Sequence, residues 1–174
     1  MGLGKRVFSG NRRAILAEDS AISSTTRQWL EYARHGCDES FLSFVEGEEP
    51  SYFTIRPLTP KQKSHVASMS ITSPEAVNDE YVRLGLVSCD AYEVWTDNGV
   101  QALPAMQRQM VGKLCPDALT DKWLEDANFP GEHLASLAIA IKGISEATAP
   151  LSRRSESQSG ASDGPSKEPA RTAA

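Results

Sequence analysis

Only the middle of this chain has the composition of a packed core. Residues 151–174 hold six serines, two prolines, four basic and three acidic residues, with Leu151 the one large aliphatic side chain. Such a segment cannot bury enough apolar surface to offset the entropy of ordering its backbone, and it reads as disordered. At the other end, residues 1–13 carry Lys5, Arg6, Arg12 and Arg13 and no acid. Of the 18 Lys+Arg and 23 Asp+Glu in the whole chain, residues 14–149 keep 10 and 20, a net charge of −10. The organisation expected is a basic flexible arm over 1–24, a single globular domain over 25–150 and a disordered Ser/Pro-rich tail over 151–174. About 136 residues between the two polar ends suffice for one modest hydrophobic core.

Local signals within that body predict mostly helices. Thr25 or Thr26 can cap a helix running to His35, which Gly36 stops, with Trp29, Leu30 and Ala33 on one face. Phe41, Leu42, Phe44 and Val45 form a second apolar knot. Upstream of Thr25, Ala14–Ala17 has the look of no more than a helical turn. Glu46 to Pro50 is a turn leading into Tyr52–Arg56, where Phe53 and Ile55 alternate with polar neighbours as in a half-buried strand. Thr59-Pro60 starts a helix to about Met69, and Ser73-Pro74-Glu75 starts another that ends near Leu86. Asn98-Gly99 between Tyr92–Thr96 and Val100–Leu103 is a hairpin signal, because that dipeptide takes the left-handed dihedrals a tight turn requires.

From Pro104 onward the pattern reads as helical, over Ala105–Leu114, Asp117–Ala127 and about Pro130–Thr148. In the last of these, Leu134, Leu137, Ala138, Ile141, Ile144 and Ser145 make an amphipathic stripe. The fold class expected is therefore mainly α (α+β), with five or six helices and a small two- or three-stranded antiparallel sheet. Phe53, Trp95 and Trp123 are expected in the core, as is Leu137. Leu134, Ile141 and Ile144 are the candidates for contact with a protein partner.

Chemistry is harder to find than fold. The cysteines Cys37, Cys89 and Cys115 are odd in number and far apart, which argues against a disulfide framework and fits a reducing cytosol. The histidines His35, His65 and His133 are equally scattered, so no metal or cofactor is expected. Ser64, His65 and Asp90 could be drawn as a triad, but no nucleophile elbow accompanies them. Phosphate-binding glycine loops are missing. The acidic body would repel a nucleic acid duplex, which makes nucleic acid a poor partner for the basic arm. The longest apolar run, Leu137–Ile141, is too short to cross a bilayer, so no membrane partner is expected. The chain reads as a soluble, intracellular, non-enzymatic binding protein.

One stretch resembles a known family. Glu46-Gly47-Glu48-Glu49-Pro50-Ser51-Tyr52-Phe53-Thr54-Ile55-Arg56-Pro57-Leu58-Thr59, followed by Lys61-Gln62-Lys63, is similar to the entry of tail assembly chaperones and related minor proteins of long-tailed phages. A helical body and a last helix running into a polar tail, here Pro130–Ala174, extend the likeness. The resemblance implies a chaperone of the host cell cytoplasm that binds and solubilises the tape measure protein and helps recruit tail tube subunits. Self-association is a further expectation. The alternative is a structural component of the tail or head–tail joint that stays in the virion.

Overall fold

The computed structural model describes residues 10–90, 92–96 and 98–147. Residues 1–9 of the basic arm, the Trp95 side chain, the end of the last helix at Thr148 and the tail 151–174 lie outside the described residues.

The fold is α+β, which corrects the mainly helical expectation. The described residues form β1 (Arg12–Ala14), α1 (Thr26–Arg34), β2 (Tyr52–Ile55), α2 (Pro60–Thr72), α3 (Val77–Gly85), β3 (Leu86–Asp90), β4 (Glu93–Thr96), β5 (Gly99–Ala102), β6 (Arg108–Val111), β7 (Cys115–Leu119), α4 (Asp121–Ala127) and α5 (Gly131–Ala147). The seven strands make three antiparallel sheets, ordered β1-β2-β3, β4-β5 and β6-β7. Four strands therefore stand beyond the three that were expected.

Two of them replace helix. The stretch read as a helix over Ala105–Leu114 contains β6, and the one read over Asp117–Ala127 begins in β7. Gly112, at φ +50°, reverses the chain between them. Arg108 faces Leu119, Gln109 faces Ala118 and Val111 faces Cys115, so Met110 faces two residues, Pro116 and Asp117. A bulge at this point suits Pro116, which has no N–H to give to the ladder. The other two are β3, which follows α3 without a break and pairs with β2, and β1, which pairs Arg12 with Ile55 and Ala14 with Phe53. The arm assigned to 1–24 is thus part of the body from Arg12 onward. Ala14, Ile15 and Leu16 are buried rather than forming a loose helical turn.

Helix entries follow the sequence closely. Thr25 Oγ1 accepts from the Gln28 N–H while the Gln28 side chain returns a bond to the Thr25 N–H, and Thr59 and Gln62 repeat the arrangement ahead of Pro60. Gly36, at φ +73°, ends α1. In α1 the buried side chains are Trp29, Tyr32 and Ala33, and Leu30 is exposed. The hairpin also forms, but Gly99 already belongs to the ladder, paired with Thr96, rather than to the turn as an Asn98-Gly99 turn would have it.

α5 is the axis of the core. Eight of its residues are buried, from Ser136 to Ser145, too wide an arc for a helix that covers one face of a body. Gly143 meets α1 at Ala33 and Ile141 meets α3 at Gly85, so helices lie against it on more than one side. The Leu58 N–H donates to Ser145 Oγ at 2.9 Å, which ties the segment after β2 to the same helix.

Candidate functional site

Of the three side chains read as partner contacts, two are enclosed and the third is partly so. Ile141 and Ile144 are 0% and 1% exposed, and Leu134 is half-buried against the core. The exposed apolar residue of α5 is Ile139. A stripe with a period of 3.6 marks the side of a helix that is covered, and here the fold itself covers it.

Part of the stretch that carries the family resemblance is spent internally, while Glu46 to Glu49 are exposed. Phe53 and Ile55 are buried on β2. Arg56 donates from Nε to the Leu84 carbonyl at 2.9 Å and from Nη1 to Asp117 Oδ2 at 2.9 Å, and its Nη2 reaches Cys115 Sγ at 3.5 Å. Arg108 joins the same knot, giving Nη1 to the Asp117 carbonyl at 3.0 Å and Nη2 to the carbonyls of Leu86 and Val87. The Arg56 guanidinium holds the Asp117 carboxyl below the usual carboxylate range, and the bond to Asp117 raises Arg56 in turn. Burial pushes Arg108 down, and Arg56 nearby adds to the effect. Two arginines thus bind β2, β3 and β7 together.

A polar cleft of about 500 Å³ lies between residues 16–20, β2, the start of β4 and the first turn of α5. Glu18, Asp19, Ser20, Ser51, Glu93 and His133 line it over an aromatic floor of Phe53 and Tyr92. Phe53 and Tyr92 meet edge-on at 5.0 Å, and Phe129 joins Tyr92 to Trp123 at 5.6 and 6.0 Å. Tyr92 Oη lies 2.8 Å from His133 Nδ1. Burial drives the Tyr92 phenol far above its ordinary range, with Cys89 and Glu18 reinforcing it, so near neutral pH the phenol keeps its proton. It can donate that proton to an unprotonated Nδ1. Glu18 takes the Ser136 hydroxyl at 2.8 and 2.9 Å, and Asp19 takes the N–H groups of Ala21 and Ser51 at 2.9 and 2.8 Å. These acids fasten the cleft wall to α5 and to the approach to β2.

Other sequence candidates end up apart. His65 Nε2 sits 2.6 Å from Glu80 Oε2, and Glu80 also accepts from Arg83 Nη1 at 2.8 Å. Asp90 is at the end of β3 opposite Tyr52, so Ser64, His65 and Asp90 make no triad. Burial raises the Cys37 and Cys89 thiols to about 11. Among the described residues no group of three or more His, Cys, Asp and Glu is placed to hold a metal ion. Sequence reading missed Tyr92, Glu18, Ser136 and Arg108, whose partners are distant along the chain. It also missed the exposed apolar residues Ile71 and Met110, which carry no periodic mark. No helix among the described residues is long and apolar enough to cross a membrane. Comparison with protein-family models, with curated proteins and with solved structures finds no match to this chain.

Proposed function

We propose that the protein is an assembly chaperone of the kind found in long-tailed phages, one that binds and solubilises the tape measure protein and helps recruit tail tube subunits in the host cytoplasm. The observation that supports this reading is the placement of large apolar side chains in water on an acidic body. Ile71, at the end of α2, is 83% exposed, and Met110, on β6, is 72% exposed. Phe44, Val45 and Leu30 are exposed to lesser degrees. Single exposed apolar residues are ordinary on soluble proteins, but exposed apolar side chains, the flexible Met110 among them, suit transient capture of an apolar helical segment. The net charge of −10 over residues 14–149 keeps such a carrier from aggregating while it does so.

Co-expression with the tape measure protein encoded by the same phage tests the reading. The chain should raise the soluble yield of that protein and co-purify with it, and it should be missing from finished particles. Replacing Ile71 and Met110 together by Asp should lower the co-purified yield while the melting temperature stays within a few degrees of the parent. Stoichiometric recovery of the chain in purified particles would instead make it a structural part of the tail or head–tail joint.

A further inference from the structure

The fold treats the sulfur atoms of this chain, four methionines and three cysteines, very unequally. Met1 lies outside the described residues. Cys37 and Cys115 are buried, while Cys89, Met69 and Met106 are half-buried. Met106 also packs against the core. Met110 is 72% exposed and stands outside that packing.

The exposure of Met110 is built into β6. A regular strand sends successive side chains to opposite faces, so either Gln109 or Met110 would turn inward. Both are exposed, because the ladder slips at Met110, which faces Pro116 and Asp117 together. The neighbouring residues are fixed in place. Arg108 holds the carbonyls of Leu86, Val87 and Asp117, and Val111 pairs with Cys115. Withdrawing the thioether from water would break that hold.

The thiols, which ordinarily compete for an oxidant, are handicapped by the same fold. Thiolate is the form that attacks a peroxide, and burial pushes Cys37 and Cys89 up to about 11. Cys115 is enclosed, with Arg56 Nη2 at 3.5 Å and Asp117 Oδ1 at 3.6 Å from its Sγ. A thioether has no proton to lose and attacks as it stands, so access decides which methionine reacts.

We propose that Met110 is a reversible oxidation site, converted to methionine sulfoxide by hydroperoxides ahead of every other sulfur among the described residues. A sulfur lone pair takes the near oxygen of hydrogen peroxide and the O–O bond breaks. The far oxygen leaves as water, carrying both protons of the peroxide. Sulfur gives up two electrons and the peroxide takes them. The product is polar where the parent side chain was apolar. Met110 lies outside the core, so the body keeps its fold when the sulfoxide forms. The same exposure admits the reductases that reverse the change. This chemistry stands independently of the chaperone reading.

Dilute hydrogen peroxide added to the full chain at neutral pH, followed by peptide mapping by mass spectrometry, tests the site. The peptide carrying residue 110 should gain a single oxygen atom to completion while Met69, Met106 and the three thiols stay unmodified. The melting temperature should stay within a few degrees of the parent. Methionine sulfoxide reductases A and B together, one for each epimer, should then remove the oxygen. Met110→Leu keeps the apolar volume and should abolish this first oxidation, with an unchanged melting temperature reporting an intact fold. Oxidation of Met69, Met106 or any thiol as fast as Met110 overturns the proposal. So does an oxidised chain that melts well below the parent, or one that the reductases do not restore.

Discussion

Gly143 of α5 stands against the backbone of Ala33 in α1 so closely that a Cβ added there would run into the Ala33 carbonyl oxygen and sit 2.7 Å from its carbon. The obstacle is backbone, which cannot rotate away as a side-chain tip can. Glycine is therefore required at 143 for closeness of approach, even though it lowers helix propensity. Gly131, the first residue of α5, has nothing within 4 Å of its would-be Cβ.

This contrast gives the first prediction. Gly143→Ala should destabilise the fold by about 1–3 kcal/mol or more, because overpacking forces the two helices apart. Gly131→Ala should be neutral or slightly stabilising. Urea unfolding midpoints of the two variants decide the matter, and a Gly143→Ala chain as stable as the parent would refute the close contact.

The second prediction separates core from surface on the same helix. Ile141→Ala and Ile144→Ala should each cost about 2–5 kcal/mol, since each removes a fully buried side chain. At Gly85 a Cβ would meet Ile141 atoms at 2.5 to 3.0 Å, so Ile141 fits tightly against α3 at that glycine. Ile139→Ala, on the exposed side, should move the midpoint little. Equal losses at 139 and 144 would mean that α5 is rotated from the orientation described.

These contrasts show which parts of the molecule a sequence can express. Thr25 with Gln28, and Thr59-Pro60 with Gln62, signal helix starts because the bonds they make span three residues. The hairpin was readable within one residue for the same reason. Residues 105–114 misled because Ala105, Met106, Gln107, Gln109 and Met110 are good helix formers, while what makes them strand is pairing with Cys115–Leu119 and the hold of Arg108 on β3. The cleft was unreadable altogether. Tyr92 and His133 are 41 residues apart, and Glu18 and Ser136 are 118 apart, with no fixed spacing to mark either pair.

A third prediction concerns the thiols. The thiolate is the reacting form, and with Cys37 and Cys89 raised to about 11 by burial, each has roughly a hundredfold smaller thiolate fraction near neutral pH than a free thiol of pKa 9.0. Cys115 is buried and shielded by Arg56 and Asp117. Labelling with an aromatic disulfide at pH 7.5 should be slow for all three in the native chain and fast in urea. Rapid labelling of Cys37 in native conditions would show that the turn at Asp38 opens readily.

The last prediction follows the Arg56–Asp117 tie into acid. Its carboxyl lies below its ordinary value because Arg56 donates to it, with Cys115 and Arg108 adding smaller effects in the same direction against the opposing cost of burial. A carboxyl whose folded pKa is lower than its unfolded value of about 3.9 contributes stability that is present above that value and is lost as pH falls through the folded pKa. The Asp117 side chain is 44% exposed, so water screens the pair and the effect is modest. Between pH 5 and pH 3 the parent should lose urea stability, and Asp117→Asn should flatten part of that slope while being less stable than the parent at pH 7. Arg56→Gln should be destabilised at every pH, because the Leu84 carbonyl loses its charged donor whatever the state of Asp117. The comparison is made by urea midpoints at pH 3, 4, 5 and 7, and an Asp117→Asn chain with the parent's acid slope would remove this carboxylate from the acid response.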